Sequence, residues 1–293
     1  MEYLIQNVIM GIAIGGIYGL IALGFVLINK STGILNIAQG GMMAIGAFIC
    51  FTLISKIGVP FVLAIIMTLF ISFFLGLVID KALFSPLIGQ PLLAPIMMSL
   101  ALLFILEGIV LSIWGAQSYS FPQLFPVAPV AIGPFVLSHE LFFNFIISGL
   151  LLIIFIAFFK FSHTGTKMRA VADDQQAAQA AGIKVKKIFS LAWGIGTGIA
   201  ALGGISLGMI TMLFYGLSYS GLKVLPVIIL GGIESILGAI VGGLIIGVLE
   251  SLAGIYVEPY LKGSKEIVPF VILLIFLVFK PHGLFGLKGV KRI

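Results

Sequence analysis

A chain of 293 residues that is 61% hydrophobic and only 9% charged, with a mean hydropathy of +1.28, lies far from the roughly 25% charged composition of a soluble domain and reads as an integral membrane protein. The net charge of +6 comes from basic residues gathered at the ends of apolar runs, with no basic and aromatic stripe, which excludes a nucleic-acid footprint. No polar excursion could bury a core of its own, so residues 1–293 are expected to form one transmembrane domain without a soluble catalytic domain.

Uncharged or nearly uncharged runs place membrane helices at about 5–28, 34–54, 59–79, 92–113, 141–159, 188–213, 235–255 and 266–280. The first is preceded by Glu2 rather than by basic residues and lacks a small-residue cleavage site, so it is expected to stay in the mature protein. A piece of 12 residues at 222–233 would be only about 18 Å long as a helix, short of a core of about 30 Å, and is predicted to be a half-helix. The expected fold class is all-α: a polytopic membrane helix bundle of about eight spans plus a half-helix.

The only long polar segment between two apolar runs is Lys160 to Lys187, whose 28 residues hold six of the sixteen basic residues and two of the ten acidic ones. The segment Gly115 to Glu140 has no Lys or Arg and carries prolines at 122, 126, 129 and 134. Positive residues favour the cytoplasmic side, so the first segment is placed inside and the second outside. Alternation then puts Lys30 and Lys81 inside, Lys56, Lys223, Lys262 and Lys265 outside, and the tail with Lys280, Lys288, Lys291 and Arg292 inside. The N-terminus is therefore predicted outside and the C-terminus inside. Within the basic loop, residues 169–183 predict a surface helix of about 13 residues that Thr166 caps and Gly182 ends. Ala170, Ala177 and Ala181 would share a smooth stripe with Asp174, open either to another protein or simply to solvent.

Two segments break the rule that a membrane helix is uniformly apolar: Asn36, Gln39, Gly40 and Gly41 in the first, Gly231, Gly232 and Glu234 in the second. Glycine doublets beside polar side chains at depth mark the broken helices with which transporters line a path. Asn36 and Gln39 equally suit interhelical hydrogen bonding, and Glu234 equally suits a cytoplasmic turn. Glu107 lies six residues, about 9 Å, from the outer end of its span, where a structural partner or a place near an outer gate would account for it. Glycine runs at 194–204 and 238–247 suit close helix packing. His139, His163 and His282 are scattered, which implies no metal site, and the lone Cys50 cannot form an internal disulfide. There is no phosphate-binding glycine-rich loop, so no catalytic residue or cofactor is expected in this chain.

Arg169-Ala at the start of the basic loop, acidic Asp173 and Asp174 a turn later, an Ala-rich middle and a closing Gly182-Ile183 resemble the cytoplasmic coupling loop of ABC-importer permeases. Together with Leu35-Asn-Ile-Ala-Gln-Gly-Gly-Met-Met-Ala-Ile-Gly-Ala47, Leu230-Gly-Gly-Ile-Glu-Ser-Ile-Leu-Gly-Ala239 and Lys280-Pro-His-Gly-Leu-Phe-Gly286, the chain is similar to the high-affinity branched-chain amino-acid permeases. The resemblance implies a multi-pass permease of the bacterial inner membrane that moves branched-chain or related amino acids inward. It further implies a second permease subunit or copy, two cytoplasmic ATPases docking on the Arg169 to Ile183 stretch of the 160–187 coupling loop, an external substrate-binding protein, and ATP-driven alternating access. ATPase coupling would fall to Arg169, Ala170, Asp173, Asp174, Ala177, Ala181 and Gly182; the path candidates are Asn36, Gln39, Gly40, Gly41, Glu107, Gly231, Gly232 and Glu234. Gln39 and Gly41 stand where the family often has His and an acidic residue, and Glu234 where a small residue is frequent. Amides or urea thus remain alternative substrates, and an ion-coupled secondary transporter using Glu107 or Glu234 is a rival reading.

Overall fold

With lipid offering no hydrogen-bond partner, apolar segments satisfy their backbone internally, and twelve α-helices form among the described residues. The computed structural model describes residues 2–91, 93–124, 130–132 and 135–286. Pro126, Pro129 and Pro134 of the expected outer loop, and Lys288, Lys291 and Arg292 of the tail, lie outside them.

Among the described residues, six helices are long and apolar enough to cross a membrane. They are α1 (Glu2–Thr32), α3 (Phe61–Ile79, continued through a π turn Asp80–Phe84 and a 3₁₀ turn Ser85–Leu87), α4 (Leu93–Trp114), α5 (His139–Phe161), α8 (Val185–Ile210) and α11 (Ile236–Tyr256). Two of the eight expected spans are shorter: α2 (Gln39–Ser55) has 17 residues and α12 (Ser264–Phe279) has 16. By length and composition, six of the eight expected spans are full membrane crossings among the described residues. The expected half-helix belongs to a longer segment, Leu217–Gly231, made of α9 (Leu217–Ser220), a 3₁₀ turn Gly221–Lys223 and α10 (Val224–Gly231). Two short helices, α6 (His163–Asp173) and α7 (Gln175–Ala180), occupy the basic loop. A small hairpin, β1 (Val130–Ile132) against β2 (Phe135–Leu137), is the one departure from helix among the paired segments.

Helices α1 and α8 are mostly buried and form the centre, while α3, α4 and α5 turn most of their apolar surface outward. Glycines set the closest contacts. Gly11, Gly15 and Gly19 of α1, four residues apart, meet Gly243, Gly247 and Val248 of α11 so closely that an added Cβ at Gly15 would lie 2.6 Å from the Gly243 carbonyl oxygen. This is small-residue packing of the kind that lets membrane helices touch backbone to backbone. On α8, Gly204 abuts the Met43 carbonyl of α2 in the same way. At its start α8 is fastened to the end of α3, where Trp193 stacks on Phe84 with ring centroids 4.1 Å apart. Beside them the Asp80 carboxylate accepts hydrogen bonds from Ser190 (2.6 Å) and Ser85 (3.1 Å).

The pairing of Gly11 with Val248 and of Gly19 with Ala239 makes α1 and α11 antiparallel and defines two ends of the bundle. At one end lie the start of α1, the Trp114–Thr52 hydrogen bond (2.8 Å), the Tyr119–Leu213 bridge and the α11–α12 turn. In that turn Glu258 accepts from the backbone N–H groups of Gly263 and Lys265 and from the Ser264 hydroxyl, which holds its carboxyl below the ordinary range. At the other end lie Thr32, the π turn after α3, helices α6 and α7, and the α10–α11 turn. Here the segment after α12 returns: the N–H groups of Leu284 and Phe285 donate to the carbonyls of Leu230 and Gly231 at 2.8 and 3.0 Å, satisfying acceptors that the end of α10 leaves open.

Candidate translocation path and coupling surface

After α1 ends, Gly33 to Ala38 run without regular structure alongside α4. The Ser99 hydroxyl donates to Leu35 O (3.1 Å) and accepts from Ile37 N–H (3.3 Å), replacing the helical partners that this backbone lacks. The expected span at 34–54 therefore starts only at Gln39. Gly41 then faces Leu103 and Leu106, the middle of the 22-residue α4, so α2 begins about halfway along a neighbouring span. Asn36 and Gln39 are both fully buried, with Asn36 Nδ2 donating to Gln39 Oε1 at 2.9 Å. Gln39 Nε2 reaches Ile21 O of α1 (3.3 Å) and Gly196 O of α8 (3.5 Å), while Asn36 Oδ1 has no partner. The two amides thus tie the start of α2 to the two central helices.

Gly40 brings a second discontinuous element to the same point. An added Cβ there would lie 2.2 Å from Ser218 O, and one at Gly221 would lie 2.3 Å from Gly40 Cα, so α2 and the α9 turn meet through their backbones. Glu107 of α4 completes the junction: its carboxylate accepts from the Ser218 hydroxyl and, at 3.4 Å, from the Tyr219 hydroxyl. The structure therefore unites Asn36, Gln39, Gly40, Gly41 and Glu107. It does not bring Gly231, Gly232 or Glu234 to them. Gly231 is pressed against Gly238, Gly232 takes φ of 108° at the end of α10, and Glu234 is exposed in the turn to α11.

Three site residues carried no readable mark. Ser218 and Tyr219 are ordinary in an apolar run, and their bonds to Glu107 span 111 and 112 positions. Lys223 is buried with Nζ 2.7 Å from both Glu250 Oε1 of α11 and Glu266 Oε2 of α12. The signal for this cluster was Glu250, a charge within an apolar span, but nothing local named its partner.

The basic loop holds two helices rather than the single one predicted. Ser162, not Thr166, caps α6 by accepting from Gly165 N–H at 2.8 Å. Asp174 leaves the helix with φ −155° and ψ 110°, and its carboxylate accepts from Gln176 and Ala177 N–H at 2.8 and 2.9 Å, starting α7. A capping carboxylate in mid-loop is the reason for the break. The predicted stripe is divided accordingly: Ala170 is half-buried on α6, whereas Ala177 and Ala181 are exposed. Met168, Val171 and Ala178 are buried and anchor the pair. Arg169 lies over the Phe159 ring, 5.7 Å from its centroid, and donates to Phe159 O. Asp173 is exposed, and Gly182, at φ 82°, turns the chain back toward α8. Clefts of about 600 and about 490 Å³ flank that turn, one lined by Ile88, Gln175, Gln179 and Lys184, the other by Thr164, Lys167, Ala181 and Lys187.

Six membrane-length helices centred on α1 and α8, with two discontinuous ones packed among them and an exposed two-helix loop at one end, define a multi-pass membrane transport protein. Residues 7–279 match the family described as the branched-chain amino acid transport system permease component, and the chain belongs to that family. It is 28% identical to the high-affinity branched-chain amino acid transport system permease protein BraD of Pseudomonas aeruginosa, over 99% of this chain and 98% of the relative. It is 27% identical to the corresponding LivH protein of Escherichia coli K12, again over 99% and 98%. It is also 28% identical to a probable LivH of Methanocaldococcus jannaschii, over 94% and 90%. The chain is accordingly a transmembrane permease component of the inner membrane, a transport protein.

Proposed function

We propose that this chain is a permease subunit of an ABC importer that carries branched-chain or related amino acids inward by ATP-driven alternating access. The observation that carries the reading is the pairing of two features in a member of this family: a rigid, exposed α6–α7 loop at one end and a junction of broken helices halfway along the bundle. The loop offers partner ATPases a surface held by Met168, Val171 and Ala178 from beneath. Because α6 packs on α1 and α8, movement of the loop is passed to the central helices that hold Gln39. The partners are a second permease subunit or copy, two cytoplasmic ATPases and an external binding protein. ATP is bound by those ATPases, and this chain holds no cofactor of its own.

The test is uptake by the purified complex in proteoliposomes. ATP-dependent accumulation of labelled leucine, isoleucine or valine in the presence of binding protein is expected, and Gly182→Pro should lower it several-fold. Proline cannot adopt the positive φ and would remove the Gly182 N–H bond to Gln179 O (3.0 Å), collapsing the turn between the two clefts. Ala177→Trp, on the exposed face of α7, should impair ATPase stimulation similarly. Uptake driven by a sodium or proton gradient without ATP would defeat the reading, as would normal coupling in both variants.

A further inference from the structure

We infer that Glu107, with Ser218 and Tyr219, forms the subsite that receives the ammonium group of an amino-acid substrate where the two discontinuous helices meet. The inference rests on the amino-acid permease reading and adds the substrate group and the residues that take it.

Glu107 lies in the second half of α4, next to the Leu103–Leu106 turn on which Gly41 is seated. A carboxylate at that depth is costly unless a cation or several donors meet it. Here it has two hydroxyl donors, Ser218 and Tyr219, and no cation: among the described residues the ion pairs are those of Lys223. A carboxylate offers about four acceptor positions, so two hydroxyls leave capacity unused. Glu107 is half-buried rather than sealed, and Tyr219, which donates to it, is 52% exposed. An acceptor-only group with unused lone pairs suits an ammonium ion and repels a carboxylate. The location agrees, because Ser218 belongs to the short α9 turn whose backbone carbonyl abuts Gly40. The carboxylate is thus bound to one broken helix and adjoins the other, so the charge would sense any motion of either.

The experiment uses the whole complex, with partner subunits and saturating binding protein, in proteoliposomes. Labelled leucine uptake is measured alone and with two competitors: 3-methylbutylamine, which keeps the ammonium, and 4-methylpentanoate, which keeps the carboxylate. Glu107→Gln, isosteric but neutral, should lower uptake by about tenfold, the usual scale for losing a charged hydrogen bond. It should also abolish inhibition by 3-methylbutylamine while leaving the effect of 4-methylpentanoate as in the unaltered complex. Uptake within about twofold of the unaltered complex, or amine inhibition that persists, would overturn the inference. Should Glu107→Gln fail to assemble, Ser218→Ala decides the point: freeing the carboxylate should strengthen amine inhibition, and unchanged inhibition counts against the subsite. Failure of the unaltered complex to take up leucine, isoleucine or valine would bring down the amino-acid reading first, and this inference with it.

Discussion

Lys223 illustrates how a single residue can fasten three elements. Its ammonium is 2.7 Å from Glu250 and from Glu266, with the side chains of Lys223, Glu250 and Glu266 exposed by 8%, 11% and 55%. Burial decides which partner matters: Glu266 keeps contact with its surroundings, whereas Glu250 is buried, with Lys223 as its cation and the Tyr18 hydroxyl beside it. Removing the cation leaves a buried carboxylate unpaired, which costs about 3–5 kcal/mol. Lys223→Met should therefore lower the thermal unfolding midpoint of the detergent-solubilised protein markedly, and adding Glu250→Gln should recover much of the loss. Glu266→Gln alone should change little. Unaltered stability in Lys223→Met would show that the cluster holds nothing together.

For the elements, the sharpest constraint is the meeting of α2 with α9. Neither helix can supply a side chain at the contact, because Gly40 and Gly221 fill it with backbone. Gly40→Ala would push a methyl group to 2.2 Å from Ser218 O, and relief requires one helix to shift. Overpacking of this kind costs about 1–3 kcal/mol. The expected result is a lower unfolding midpoint together with impaired uptake, since Ser218 also holds Glu107. Gly149→Ala and Gly254→Ala, where an added Cβ meets nothing within 4 Å, serve as controls and should be neutral or slightly stabilising. Equal stability of Gly40→Ala and the controls would contradict the observed junction. Gly41→Leu should likewise destabilise: with Leu103 and Leu106 already 3.0–3.3 Å from an added Cβ, the larger side chain would wedge α2 from α4.

On the scale of the whole molecule, the antiparallel α1–α11 pair puts the α11–α12 turn and the α6–α7 loop at opposite ends. If the basic loop faces the cytoplasm, as its lysines and Arg169 require, the turn at Tyr260 faces outward. A single cysteine at Tyr260, 91% exposed, should react with an impermeant thiol reagent from outside in intact cells, and one at Gln176 only after permeabilisation. The buried Cys50 should stay silent in both. Labelling at the two positions from the same side would refute the topology.

The sequence by itself determined the membrane class, six of the spans to within a few residues, the basic loop and the interruptions near Gly40 and Gly231, but not the break at Asp174. These properties depend on local hydrophobicity, glycine and charge, which act on a segment whatever surrounds it. It also signalled close packing, without partners, in the glycine runs at 194–204 and 238–247. What only the tertiary structure decided was which breaks coincide. Gly40 and Gly221, Glu107 and Ser218, Lys223 and Glu250 each meet across distant sequence, and hydrophobicity in lipid cannot choose among such pairings because every apolar face suits the lipid equally. The shape of backbones and the few available polar partners make that choice, so the path candidates divided into a mid-bundle junction at Asn36, Gln39, Gly40, Gly41 and Glu107 and a separate end turn at Gly231, Gly232 and Glu234.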